Sequence, residues 1–391
     1  MVSCTENEEP DPGPLGPTHV IWQAKSRAIL DRMDKNGLAM LRMSVENSDP
    51  GKFAISPLSA HTLTGMLANG ADNTSLAEML SFFNTDSTEE INSVLSTINA
   101  ISRGTDNNAT VDIRNAIWFD NDTEPQQDFI SAISSDFEAA SFTIDLNSPN
   151  GQLHINNWIS DATHSRIPEF LTQVPEGWHF FAANTLYFNA PWTDRFHDCS
   201  PQVQTFRNID NTRTATPFME NTECYAYAEK EGEYQAVQIP FGNASFIFTA
   251  WLPAENKTVE DILSILENGE DAEFTSEGNH PKIMLRLPQF DINTTVSLTP
   301  ILSRLGLETL WSSESADFSR MTHTPAFLTD MRQSVSISID KDGSTVAAAT
   351  GTGIDGALPP DLILTYDRPF IFSISAPHIG ATLVNGVITK L

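Results

Sequence analysis

This chain of 391 residues holds three cysteines, too few for a disulfide framework. No apolar run approaches the ~20 residues that a membrane-spanning helix needs. Basic residues are scarce, 22 Lys and Arg against 51 Asp and Glu, and the formal charge of −29 argues against nucleic-acid binding. That charge favours solubility and draws basic partners over a long range at low salt. Catalytic signatures are also missing. The nine histidines form no His-Glu-x-x-His pattern and no His/Cys spacing suited to zinc; His154, His164, His197 and His323 stand isolated. No Gly-x-Ser-x-Gly elbow occurs. With so many carboxylates some pair would stand at catalytic spacing by chance, so an acid-pair hydrolase has no support. One Gly-x-Gly-x-x-Gly string does occur, over 351–356. It follows Ala-Ala-Ala-Thr and runs toward Pro359-Pro360 instead of opening a helix, so a dinucleotide site is rejected. No metal and no cofactor are expected.

The cysteines leave two questions. Ser3-Cys4 precedes an acidic, Pro-rich stretch, Thr5 to Pro14, which resembles the start of a mature bacterial lipoprotein with a lipid-anchored Cys4 and a tether. An ordinary tail with one stray Cys is the alternative. Cys199 and Cys224 flank an expected hairpin, with strands near 205–209 and 214–219 and a turn at 210–212. Reflecting position 199 through that turn lands close to 224, so a bridge is geometrically possible; two unpaired thiols are the other reading. Six sequons, at Asn73, Asn108, Asn121, Asn243, Asn256 and Asn293, matter only in a eukaryotic secretory pathway.

Residues 1–18 read as a disordered tail or tether. Helical spacing of apolar residues runs over 19–46, 58–83 and 87–102. After Phe180 the texture becomes mostly strands. Helices first and strands later indicate an α+β fold rather than alternating βαβ units.

The most informative stretch begins at Val335. Val335, Ser336, Ile337, Ser338 and Ile339 alternate as a strand does. Then large side chains stop. From Lys341 to Pro360 only Val346, Ile354 and Leu358 could fill a core position. A structureless loop of this length inside a compact domain is uncommon and usually functional. Ser, Thr and Ala clash with little, so such a segment can enter an existing sheet as a new strand.

Other landmarks fall in a definite order: Phe53-Ala54-Ile55-Ser56-Pro57-Leu58, Asn156-Asn157-Trp158-Ile159, Asn184-Thr185-Leu186-Tyr187-Phe188 up to Trp192, Leu287-Pro288-Gln289-Phe290, and Asp367-Arg368-Pro369-Phe370. Together they resemble the serpin family over residues 19–391. The resemblance implies one serpin domain there: three β-sheets, about eight or nine helices, and an exposed reactive-centre loop at about 341–361. It implies no enzyme but an irreversible suicide-substrate inhibitor of serine proteases. The hinge would be Gly343, Ser344, Thr345, Val346, Ala347, Ala348 and Ala349, where Val346 is larger than the family's usual Ala. Lys341 replaces the usual acid at the hinge base.

Counting forward from Lys341 at the family spacing puts the reactive bond at Ala357–Leu358, with Gly356 as the alternative. Counting backward gives Leu358, ahead of a proline. A small side chain before the cut suits an elastase-like or subtilisin-like target, held as a covalent acyl complex. Ser56, Asn184, Trp192 and Gln333 match the region where the sheet opens, with Gln333 where many members carry His. The region 86–106, matching the family's heparin-binding helix, has Glu89, Glu90 and only Arg103 as a base, so no heparin activation is expected. A monomer, secreted or at the cell surface, is expected. The alternatives are a non-inhibitory serpin (carrier, chaperone or storage protein) and a cysteine-protease inhibitor.

Overall fold

Helices fill the first part of the chain because apolar residues recur there at three and four positions. In the computed structural model, which describes residues 19–46, 51–172, 178–343 and 359–391, helix α1 (Ala24–Glu46) buries Ile29, Met33, Gly37 and Met40 along one face. Gly37 allows a close approach, since a Cβ there would stand 2.9 Å from Pro57 Cγ. Strand β1 (Lys52–Ile55) leads into α2 (Pro57–Ala68), whose residues are all buried. Ser56 caps α2: its Oγ accepts from the Ser59 N–H at 3.1 Å, and Pro57 occupies the first turn, where no N–H is needed. Helices α3 (Asn73–Phe83) and α4 (Thr88–Gly104) follow.

Next come β2 (Thr110–Asp120), α5 (Gln127–Phe137), β3 (Ala140–Ile144), α6 (Pro149–Ala162) and β4 (Phe180–Asn189). A strand-rich stretch holds β5 (His197–Arg207), β6 (Arg213–Cys224), β7 (Ala226–Lys230), β8 (Tyr234–Phe241) and β9 (Phe246–Pro253). The chain continues through α7 (Val259–Glu267), β10 (Lys282–Pro288), β11 (Phe290–Ser297), α8 (Thr299–Arg304) and β12 (Arg332–Ile339). It closes with β13 (Leu362–Thr365), β14 (Phe370–Ala376) and β15 (Ala381–Ile388).

Among the described residues the strands form a six-stranded sheet β1-β15-β14-β9-β8-β7, a four-stranded sheet β13-β10-β6-β5, a three-stranded sheet β3-β2-β4 and a two-stranded sheet β11-β12. The last two lie side by side, so the expected large sheet is divided between β4 and β12. The main hydrophobic core lies between these sheets, the six-stranded sheet and α2. A second, smaller core sits between α6 and the other face of β2 and β4, built on Trp118, Ile155, Ile159, Trp178 and Phe181. There Trp118 Nε1 donates to His154 Nδ1 at 3.0 Å, so His154 has a structural partner.

The cysteine bridge does not form: Cys199 and Cys224 are both free thiols. Strands β5 and β6 pair from Arg207↔Arg213 to Val203↔Pro217, then the register jumps to Asp198↔Met219. This irregularity at 199–202 brings Cys199 near the level of Met219, while Cys224 pairs with Lys282 of β10. Reflection through the turn assumed an unbroken ladder. Burial pushes the Cys199 thiol up to about 11. Residues 1–18, with Cys4, lie outside the described residues.

Candidate functional site

Strand β12 buries alternate residues: Gln333, Val335, Ile337 and Ile339 face the core, while Ser334, Ser336 and Ser338 are half-exposed. Its ladder with β11 occupies one edge, running from Phe290↔Ile339 to Ser297↔Arg332. Strand β4 likewise pairs with β2 along one edge only. Its even-numbered residues, Ala182, Leu186 and Phe188 among them, pack on the main core; Phe181 and Ala183 pack on the α6 side. The free edges of β4 and β12 face each other, and among the described residues no ladder joins them. An unpaired row of backbone N–H and C=O groups is a template for another strand.

At the end of β12 the chain reverses over Asp340-Lys341-Asp342-Gly343. The Asp340 N–H donates to the Gly343 carbonyl at 3.0 Å, and the Gly343 N–H returns a bond to the Asp340 carbonyl at 3.2 Å. Gly343 also forms an antiparallel bridge with Pro191, just beyond β4. It therefore stands between the extensions of both strands, as the first rung of a strand between them. Only glycine suits this position. Its φ is +126°, and a Cβ would stand 2.3 Å from the Ala190 carbonyl oxygen.

Trp192 is buried and stacks on Phe241 with ring centroids 4.2 Å apart. Its Nε1 donates to the Asp340 carbonyl at 2.8 Å, tying the turn to the end of β4. Two ion pairs flank it: Lys341–Asp198 at 2.8 Å and Arg195–Asp342 at 3.0 Å. The hydrogen bond from Lys341 holds the Asp198 carboxyl below its ordinary value, and the same bond raises Lys341.

Lower down, Gln333 and Ser56 form a closed pair. The Ser56 N–H donates to Gln333 Oε1 at 2.8 Å, and Gln333 Nε2 donates to the Ser56 carbonyl at 2.7 Å. Across the gap, Asn184 Nδ2 donates to Asn115 Oδ1 at 2.7 Å, and Asn115 Nδ2 donates to the Phe137 carbonyl at 2.7 Å. Asn184 Oδ1 is buried and accepts no hydrogen bond among the described residues. The structure thus places Gly343 and Trp192 at the top of the β4–β12 gap, with Gln333, Ser56 and Asn184 farther down. Ser344 to Ala349, Gly356, Ala357 and Leu358 lie outside the described residues.

Sequence reasoning missed Asp198 and Arg195. Lys341 and Asp198 are 143 positions apart, and no local spacing links them. Arg103 of α4 pairs with Glu138 and donates to the Ile113 carbonyl. Among the described residues no group of His, Cys, Asp and Glu could hold a metal ion, and no helix is long and apolar enough to cross a membrane.

The architecture is thus an α+β fold in which β4 and β12, each paired along one edge, leave facing edges unjoined among the described residues, with a reversing turn bridged to the end of β4. The chain belongs to the serpin family: the family model described as Serpin (serine protease inhibitor) matches residues 32–391. The human leukocyte elastase inhibitor is 23% identical over 354 residues, covering 87% of this chain and 93% of that protein. Iripin-2 of Ixodes ricinus is 24% identical, covering 95% of each. The native-state crystal structure of tengpin, a thermophilic serpin, matches with a TM-score of 0.83 at 24% identity over 96% of both chains. The latent-state structure of tengpin scores 0.77.

Proposed function

We propose that the chain is an irreversible inhibitor of elastase-like serine proteases that traps its target by inserting the segment after Gly343 between β4 and β12. The observation that carries this reading is the position of Gly343, bridged at once to Asp340 and Pro191 across the gap. Extending both bridges as an antiparallel strand gives one consistent register. Ser344 falls between Ile339 and Ala190, Val346 between Ile337 and Phe188, Ala348 between Val335 and Leu186, and Thr350 between Gln333 and Asn184. All these flanking residues belong to the core-facing rows of β12 and β4, so even-numbered positions of the new strand would face the core. Val346 is then no obstacle, because a β-branched residue fills an apolar row well.

In the proposed reaction the target's serine Oγ attacks the Ala357 carbonyl. The bond to Leu358 breaks, the Leu358 amine leaves with a proton, and the acyl-enzyme forms. Insertion then competes with hydrolysis of that ester. A methyl side chain at Ala357 fits a shallow specificity pocket, and the leukocyte elastase inhibitors among the relatives are consistent with that choice. Both Arg103 nitrogens that bond are engaged within the protein, and α4 offers heparin no other base. Secretion, with Cys4 as a lipid anchor, remains part of the proposal.

The test is to mix the protein with an elastase-type protease and run a denaturing gel. A complex that survives denaturation is expected, together with a released fragment whose mass begins at Leu358. Complete cleavage without complex would leave a non-inhibitory serpin. A fragment beginning at Ala357 or Pro359 would move the reactive bond.

A further inference from the structure

We infer that the ion pairs Lys341–Asp198 and Arg195–Asp342 form a pivot that fixes the first rung of the entering strand, and so govern how often an attack ends in a trapped protease. This rests on the insertion reading above and adds its positioning residues. The turn at 340–343 is gripped from one side by the segment that follows β4. Trp192 Nε1 and the Gly343 N–H both donate to the Asp340 carbonyl. The Phe196 N–H donates to the Lys341 carbonyl at 3.3 Å. The Asp342 N–H donates to Asp340 Oδ1 at 2.8 Å, closing the turn on itself. The two ion pairs then fasten its side chains, Lys341 to the start of β5 and Asp342 to the residue two places before it.

A strand that continues from Gly343 in the register of its two bridges keeps this reversal unchanged. Neither ion pair has to break during insertion. They hold the rung while the rest of the segment enters, and a loosened turn would have to be ordered again at the start of insertion. The hydrogen bond to Asp198 raises the Lys341 proton affinity most, and the nearby charges of Asp342 and Asp340 add to it. Without Lys341, Asp198 keeps the hydrogen bond from Gln289 and Asp342 its pair with Arg195. The side chains of Lys341, Asp198 and Arg195 are 41%, 36% and 41% exposed, so salt screens the pivot.

The experiment measures the stoichiometry of inhibition for Lys341→Gln, Arg195→Gln and the exchange Lys341→Asp with Asp198→Lys. In each single variant the ratio of cleaved to trapped inhibitor, read as the stoichiometry minus one, is expected to rise about two- to fivefold, the range of one partly exposed ion pair. The exchange should return within twofold of the parent. The rate of acylation should not move, which separates a pivot from a general loss of structure. Raising NaCl from about 0.05 to 0.5 M should weaken trapping by the parent but not by a Lys341→Gln/Arg195→Gln double variant. Unchanged or improved stoichiometry in the single variants overturns the pivot.

A parent that cleaves without complex refutes the trapping reading instead. The pivot is then read from the rate at which nicked protein gains heat resistance, slower in the variants if the pivot is right. A parent that neither traps nor gains heat resistance overturns both.

Discussion

Insertion in the register set by Gly343 gives opposite fates to two adjacent residues. Position 346 would lie between Ile337, 5% exposed, and Phe188, 6% exposed. An Arg there puts an unpaired charge into the core, at a cost of at least about 4 kcal/mol. At about 1.4 kcal/mol per decade, insertion would slow roughly a thousandfold. Hydrolysis of the acyl-enzyme then wins, and Val346→Arg should be a substrate: cleaved at the same bond, with no complex on a denaturing gel. Position 345 would lie between Ser338 and Asn189, both half-buried on the opposite face. A long Arg side chain can keep its head in water from there, so Thr345→Arg should still trap protease within a few-fold of the parent. The assay is titration of protease activity against inhibitor for both variants, with the acylation rate as control. The reverse outcome, Thr345→Arg inert and Val346→Arg active, would show a one-residue slip, which exchanges the two faces. Normal trapping by both would refute strand insertion.

Thr350 would arrive level with Asn184 Oδ1, which has no partner among the described residues. Thr350→Val should therefore lower the stability of the cleaved form by about 1 kcal/mol and leave the intact form unchanged, as chemical denaturation of each would show. Cleavage at Ala357–Leu358 should raise the melting temperature strongly, because the new strand pairs two free edges; equal melts would indicate a segment that stays out. His61 is fully buried, and burial pushes its pKa down to about 4. Its unfolded form binds a proton below about 6.5, so the stability it carries is complete above that pH and falls by up to about 3 kcal/mol toward pH 4. The pH dependence of the unfolding free energy from urea denaturation should shrink by that amount in His61→Phe.

The fold class was legible because the helical spacing of the first part and the strand alternation of Val335–Ile339 are local signals. The hinge was proposed for the opposite reason, a run without large side chains, and most of it lies outside the described residues. Gly343 could be named, but not its task, because the two bridges that define it reach Asp340 and Pro191, one near in sequence and one far. Ser56 and Gln333 could be placed in one region by resemblance; their reciprocal bonds span 277 positions and leave no periodic trace. Of the two readings left open for Cys199 and Cys224, the unpaired thiols hold; the sequence could not choose, since the irregularity in β5 carries no mark in composition. The division of the large sheet was equally hidden: a strand paired on one edge or on two buries the same alternate residues.

Gln333 stands where many serpins carry His, and that exchange changes what this position can respond to. An amide presents one donor and one acceptor face at every ordinary pH, and both are used by the Ser56 backbone. Imidazole could offer that pair only when neutral. In this chain the polar contact beneath β12 is therefore independent of protonation, and Thr350 would meet the same partner at pH 5 as at pH 8. The proton-sensitive group in the neighbourhood is instead His61 on α2, whose Nδ1–H donates to the Pro57 carbonyl at 2.6 Å and whose ring stacks on Phe82 at 5.2 Å. Its Nε2 is buried without a partner among the described residues, so a second proton there would have nothing to bond. Acid then acts on α2 from within the core, where it destabilises the whole fold, and leaves the contact between β12 and Ser56 untouched.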